Sequence, residues 1–255
     1  MTQPPFPGGT SVSLLTVYDW PTTDGEGLVG GGTPHLHTAS AEGYVVLRGS
    51  GSVQTLGPDG FDEHRLVPGG LLWFEPGIVH RLLNDGDLEI LVVMSNAGLP
   101  EAGDAVMTFP PDVLHDAERY SAAASLPGLP EIAGDAAGDD GDHGTAAVAA
   151  AARARRDLAV EGFGALRERV EAHGAQEAMA DLYASAARLV QSRVPQWRER
   201  WESTVLRQTQ VTDSDLAALA RGDGSHLLDA TVASAQRRAG QPRFGMCGRL
   251  QTWPL

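Results

Sequence analysis

Two stretches decide how this chain folds: residues 32–49, GTPHLHTASAEGYVVLRG, and residues 69–84, GGLLWFEPGIVHRLLN. In an extended strand, residues two apart point to the same face, so the two histidines of the H-x-H pair direct their rings into one space. A carboxylate follows after a short turn, and a third histidine lies in the second stretch. Three imidazoles and one carboxylate suit a first-row divalent metal ion with open coordination positions. The predicted ligands are His35, His37, Glu42 and His80.

Around these stretches, the first hundred residues form a series of short apolar runs, each bounded by Gly, Pro, Asn or Asp. The runs lie near residues 11–20, 44–48, 52–56, 64–67, 71–74, 78–83 and 88–94. Such close spacing leaves no room for the helices that βαβ units require. It predicts an antiparallel sandwich or barrel.

The second half of the chain has a different pattern. Residues 121–144 narrow in composition to Ala, Gly, Asp and Pro, which predicts a flexible linker. From Thr145 onward, apolar residues recur every three or four positions, as in amphipathic helices. We therefore predict an α+β protein with a β-barrel domain at residues 1–120, a linker at 121–144 and a helical domain at 145–255.

Three local predictions concern this helical part. Thr212 and Asp215 have the spacing of a capping box, which predicts that a helix begins there. Ser225 predicts the start of a last helix that ends near Arg238. The basic run at residues 153–156 is expected to be a solvated helix face that docks near the acidic barrel.

Composition restricts the function further. The net charge is −14. Residues 1–144 alone carry −17, from 21 acidic residues against 4 arginines, and residues 145–255 carry +3. This acidity argues against a nucleic-acid partner. All 19 basic residues are arginine, which excludes Schiff-base and P-loop lysine chemistry. No apolar stretch reaches 18 residues and no signal peptide is evident, so we expect a cytoplasmic protein without a membrane span. A single cysteine, Cys247, excludes a disulfide within the chain.

The two stretches resemble the two conserved motifs of the cupin superfamily, a small β-barrel of the double-stranded β-helix or jelly-roll type. The positions that match are His35, His37, Glu42 and Gly49 in the first motif and Gly69, Gly77, His80 and Asn84 in the second. Two positions depart: Val29 takes the place of the leading glycine, and Glu75 takes that of a proline, with Pro76 one residue later. The resemblance implies a barrel over roughly residues 10–110 and says nothing about residues 145–255.

The resemblance also implies what the site does. A metal-dependent enzyme acting on a small molecule inside the barrel is expected, and oxygenases are the commonest outcome for three histidines and a glutamate. Isomerases and lyases are the alternative within that class. The expected ion is Fe²⁺, with Mn²⁺, Ni²⁺, Cu²⁺ and Zn²⁺ as alternatives. A non-catalytic binding or sensing module stays open, as does a structural cupin whose helices serve dimer assembly. No catalytic residue is predicted.

Four residues beside the predicted ligands are candidates for the pocket wall. They are Tyr44, Arg48, Trp73 and Asn84. For Tyr44 and Trp73 the competing interpretation is core packing, and for Asn84 it is a structural hydrogen bond. Arg48 is placed in the pocket because strict alternation along its strand puts it on the same face as Tyr44.

Overall fold

The computed structural model describes residues 4–127 and 146–254. Its strands are β1 (Ser11–Val17), β2 (Gly30–Gly31), β3 (His35–His37), β4 (Glu42–Gly57), β5 (Gly60–Leu66), β6 (Leu71–Phe74), β7 (Val79–Met94), β8 (Ala105–Met107), β9 (Arg243–Phe244) and β10 (Gly248–Thr252). Its α-helices are α1 (Pro111–Leu114), α2 (Ala117–Ala124), α3 (Ala146–His173), α4 (Ala175–Val190), α5 (Val194–Trp201) and α6 (Arg207–Leu219). Among the described residues, no helix is both long enough and apolar enough to span a membrane.

All strand pairs of the sheet are antiparallel, and two long strands organise it. β4 and β7 pair along most of their length, β5 and β6 add to β4, and β1 adds to β7. The short strand β3 joins β7 on one side and β8 on the other. The side chains of Tyr44, Val53, Leu82 and Ile90 fill the inner core. The predicted α+β class, with an antiparallel barrel followed by a helical segment, is confirmed.

The helical segment packs on the outer face of this barrel. Leu36, Val106 and Phe109 from the barrel side share one buried core with Phe163 of α3 and Met179 of α4. Because these apolar residues bury one another, neither part completes its core alone. After the helices the chain returns to the sheet, where β10 pairs with β1 and β9.

The predicted division at residues 1–120, 121–144 and 145–255 stays a prediction, because residues 128–145 lie outside the described residues.

The predicted helix boundaries near the C-terminus were wrong. Thr212 and Asp215 lie inside α6, and the Thr212 hydroxyl donates to the Gln208 carbonyl one turn earlier instead of capping a helix. Ser225 opens only a short 3₁₀ turn, Ser225–Asp229. Leu228 in that turn is 88% exposed. A short helix needs an apolar face buried against a neighbour, and the described part of the chain offers none here.

The basic run of α3 is not a solvated face, contrary to the expectation. Arg155 and Arg156 are buried, whereas Arg153 is half exposed. The Arg156 guanidinium, 0% exposed, pairs with Asp157 and donates to three backbone carbonyls of the segment between β1 and β3, which includes β2. The acceptors are Trp20 O at 2.7 Å, Gly31 O at 2.9 Å and Pro21 O at 3.1 Å. One side chain thus fastens α3 to the segment that leads into the H-x-H pair.

We predict that Arg156→Met destabilises the protein by about 3 to 5 kcal/mol, because three buried carbonyls lose their donor. The measurement is the free energy of unfolding in a urea titration followed by circular dichroism. Arg153→Met is the matched control on the same helix and should change that free energy by less than about 0.5 kcal/mol. Equal effects of the two substitutions would show that the buried hydrogen bonds of Arg156 do not hold the helix to the barrel.

Candidate metal centre

The structure brings the four predicted ligands together inside the barrel. One ligand atom from each of His35, His37, Glu42 and His80 lies within 4.8 Å of all the others, and all four residues are buried. The antiparallel register places His35 directly opposite His80. Their Nε2 atoms are 3.1 Å apart, and Glu42 Oε2 lies 3.0 Å from His80 Nε2 and 3.2 Å from His37 Nε2.

The hydrogen bonds of the three rings fix which nitrogen carries the proton. His35 Nδ1 lies 2.8 Å from the Thr33 carbonyl, and His80 Nδ1 lies 3.2 Å from the Ile78 carbonyl. His37 Nδ1 lies 2.6 Å from a carboxylate oxygen of Asp104. Each of these acceptors needs a donor, so Nδ1–H donates in every case, and in the neutral ring Nε2 keeps its lone pair. Three Nε2 lone pairs therefore converge on one point.

This convergence tests whether a metal ion fits. Two Nε2 lone pairs facing each other across 3.1 Å cannot form a hydrogen bond without a proton between them. While the rings are neutral, Glu42 Oε2, which is also buried, has no hydrogen-bond donor among the described residues. A divalent cation among these four atoms would satisfy all of them, and imidazole with carboxylate is a suitable donor set for Fe, Mn, Ni, Cu or Zn.

The electrostatics of the four residues also favour a cation. Burial opposes a charge on His37, but hydrogen bonds to Asp104 and Glu42 raise its pKa to about 10. Burial and the nearby His80 and His37 hold the pKa of His35 well below its ordinary value. Burial would raise the pKa of Glu42, but the charges and hydrogen bonds of His80 and His37 keep it well below its usual range. The protein alone thus holds one proton here, and a metal ion would displace it.

Asp104 is a functional residue that sequence reasoning missed. It lies just before β8, is fully buried, and leaves its second oxygen without a partner among the described residues. Its backbone carbonyl accepts from the Thr38 amide and hydroxyl, which holds it beside the end of β3. No motif marks this position, because it is set by the pairing of two strands of three residues each.

The C-terminal segment supports the site from behind. The Thr33 amide donates to the Met246 carbonyl, and Cys247 Sγ lies 4.0 Å from His35 Nδ1. A Cβ at Gly32 would come within 2.7 Å of Cys247 Cα, so only glycine allows this close approach. Burial raises the pKa of the Cys247 thiol and keeps it protonated.

Of the four candidates for the pocket wall, two lie inside the barrel. Tyr44 is fully buried with its ring edge-on to His80, and its hydroxyl has no hydrogen-bond partner among the described residues. Burial and the Glu42 charge raise the pKa of Tyr44. Asn84 is buried and tied to the backbone: it donates to Val17 O and Tyr18 O and accepts from two amides.

The prediction that Arg48 and Trp73 line the pocket was wrong. Trp73 is 71% exposed, while its neighbour Phe74 takes the inward position. Arg48 is exposed and pairs with Glu89. Its strand loses strict alternation here, because the pairing of β4 with β7 shifts register on both sides of Arg48. Gly49 follows with a positive φ of 76°, which bends the strand and turns Arg48 outward.

Comparison with known proteins identifies a domain within the chain. Residues 27–94 match the family model described as Cupin domain. The match covers residues 27–94 alone, and this region contains all four candidate ligands. No curated protein matches the chain.

Several solved structures resemble part of the chain. An uncharacterized conserved protein with a double-stranded beta-helix domain from Klebsiella pneumoniae is 16% identical, over 36% of this chain and 71% of that one, with a TM-score of 0.29. The TDP-fucose-3,4-ketoisomerase WlaRA of Campylobacter jejuni is 15% identical, over 32% of this chain and 58% of that one, with a TM-score of 0.27. Oxalate decarboxylase from Bacillus subtilis is 24% identical, over 26% of this chain and 17% of that one, with a TM-score of 0.24. At these values the likenesses carry no argument about reaction or substrate.

We predict that Asp104→Asn weakens binding of a divalent ion about 10- to 100-fold, because His37 loses the carboxylate that orients its ring and raises its basicity. The dissociation constants for Zn²⁺ and Fe²⁺ would be measured by competition with a chromophoric chelator. Asp62→Asn, an exposed residue of β5, is the control and should leave both constants unchanged. Unaltered affinity in the Asp104 variant would show that this carboxylate does not contribute to metal binding.

Proposed function

We propose that this protein is a metal-dependent cupin enzyme that acts on a small molecule, and that its chemistry is of the dioxygenase type with Fe²⁺ as the ion. The observation that carries the metal centre is the convergence of three Nε2 lone pairs on the carboxylate of Glu42, with each Nδ1 already committed to an acceptor. Support for the oxygenase assignment comes from the ligand set, three histidines and a glutamate, which resembles that of oxygenase cupins.

The chain's own residues prepare the site for this chemistry. When bound, the ion supplies a Lewis acid and, if it is iron, a centre for dioxygen chemistry. Carbonyls of Thr33 and Ile78 orient two of the rings, and Asp104 orients the third. Phe74 packs on the His80 ring with centroids 4.3 Å apart and helps to exclude water. Exclusion of water strengthens every electrostatic interaction at the site.

Tyr44 favours a second candidate function, an isomerase or lyase. Its hydroxyl is buried, the nearby Glu42 raises its pKa, and by distance and angle it forms no hydrogen bond to a described residue. An unpartnered donor inside a closed site is suited to stabilising an oxyanion, as enolisation of a carbonyl compound requires. The two candidates differ in whether turnover consumes oxygen.

The first test is the metal content of protein purified without a histidine tag. We predict about one ion per chain in the wild type and less than about a tenth of that in His80→Ala, because the site loses one of four ligands. The measurement is elemental analysis by mass spectrometry. His64→Ala, at a partly exposed histidine on β5, is the matched control and should keep its metal. Full metal content in the His80 variant would refute the proposed centre.

The second test separates the two chemistries in the Fe²⁺-loaded protein. Oxygen uptake would be measured with catechols, flavonoids, thiols and 1,3-diketones, and substrate loss would be followed in parallel by chromatography. Uptake that His80→Ala abolishes supports the dioxygenase. Substrate conversion that continues under anaerobic conditions supports the isomerase or lyase instead. Ligand-induced stabilisation without conversion of any compound would favour the non-catalytic binding module.

A further inference from the structure

A large open groove lies where the helical segment meets one end of the barrel. Its volume is about 1080 Å³, which is enough for a drug-sized molecule. Phe74 and Leu99 line it from the barrel side, and Tyr183, Trp197 and Trp201 line it from α4 and α5. The groove therefore exists only because the helices stand against the barrel.

The groove approaches the metal centre at Phe74. Thr38 and Ala39, which line it, directly follow His37 in the chain. Phe74, also in the lining, is in register with Glu42 across the β4–β6 pair, and its ring packs on His80. His37 and Glu42, at 8% and 7%, are the most exposed of the four ligands, whereas His80 is completely buried. None of the four ligands lines the groove, so the Phe74 ring lies between the groove and His80.

The lining indicates what kind of molecule fits. Tyr183 donates its hydroxyl to the Gly77 carbonyl, Trp197 donates its indole N–H to the Ala102 carbonyl, and Trp201 donates its own to Asn96 Oδ1. With these donors occupied, the three side chains offer a ligand apolar ring surface. Aromatic rings stack favourably on such surface.

The charge of the lining narrows the class of ligand further. The charged residues of the lining are Asp59, Glu75 and Arg198, with a net charge of −1. The whole chain carries −14. An anionic molecule would enter against this field, and a cationic one would approach the positive charge of a bound metal ion, so an uncharged one is favoured.

We propose that this groove is the binding site for the small molecule on which the metal centre acts, and that it accepts an uncharged aromatic compound. The inference rests on the proposed function. It assigns the helical segment a role as one wall of the ligand site.

The test fills the groove without touching the metal ligands. Ala187, exposed on α4, lines the groove, and Ala184, exposed on the same helix one turn earlier, does not. The probe is N-phenyl-1-naphthylamine, a neutral aromatic dye whose emission rises in an apolar site. It would be excited outside the tryptophan band and titrated against wild type, Ala187→Trp and Ala184→Trp. Melting curves would confirm that the variants fold.

We expect the wild type to bind the dye and Ala187→Trp to weaken binding at least about tenfold, since the new indole occupies the ligand space. Ala184→Trp should bind like the wild type. All three proteins should keep the same metal content, which separates this result from a failure of the metal centre. His80→Ala should lose the metal and still bind the dye.

Two outcomes would overturn the proposal. One is absence of dye binding to the wild type. The other is equal binding by Ala187→Trp and the wild type, which would place the dye on another apolar surface. As a check on proximity, Cu²⁺ added to the wild type should quench the bound dye, and Cu²⁺ added to His80→Ala should not. Quenching that is identical in the two proteins would contradict a groove that approaches the centre.

Discussion

The metal centre depends on how three imidazole rings are prevented from turning. His35 and His80 use the same local device: each donates Nδ1–H to the backbone carbonyl two residues earlier, at Thr33 and Ile78. Both carbonyls lie just before a strand begins, at β3 and at β7, so sheet pairing does not compete for them. The antiparallel register then brings the two rings together edge-on, with their centroids 4.2 Å apart. The same arrangement at the start of two strands thus directs the Nε2 lone pairs of His35 and His80 toward each other.

His37 cannot use that device, and this explains the buried carboxylate. The residue two positions before His37 is His35, which lies inside β3 and pairs with both β7 and β8. The acceptor comes instead from Asp104, which is 67 residues away in sequence. A carboxylate is a stronger acceptor than a carbonyl and adds a negative charge. Together with Glu42 it gives the site two negative charges, which is why the protein alone retains a proton there.

The helical segment forms part of the same structural unit. Its buried Arg155 and Arg156 donate to backbone carbonyls of the barrel side, and its apolar face completes the core around Leu36. Leu36 lies between the first two ligands, so the helices press on the strand that carries them. The same contact creates the groove.

The sequence predicted the ligand cluster because its signal is local: spacing within a strand and a motif of fixed length. It also predicted the class of fold, since turn residues recur at short intervals. It did not reveal Asp104 or the burial of Arg156, because both depend on which distant segments the sheet brings together. The error at Arg48 has a different origin. Alternation along a strand holds only while the register holds, and here the register shifts next to a glycine with positive φ.

The C-terminal strands connect the end of the helical segment to the first metal ligand. β10 follows α6 in the chain and pairs with β1, and Met246 and Cys247 lie just before it. They contact Thr33 and Gly32, the residues that position the His35 ring. The carbonyl that fixes the first metal ligand is therefore itself held by residues more than 200 positions later. Docking of the helices brings the chain back to the sheet at this point. This explains how a helical segment that supplies none of the four ligands helps to shape the site.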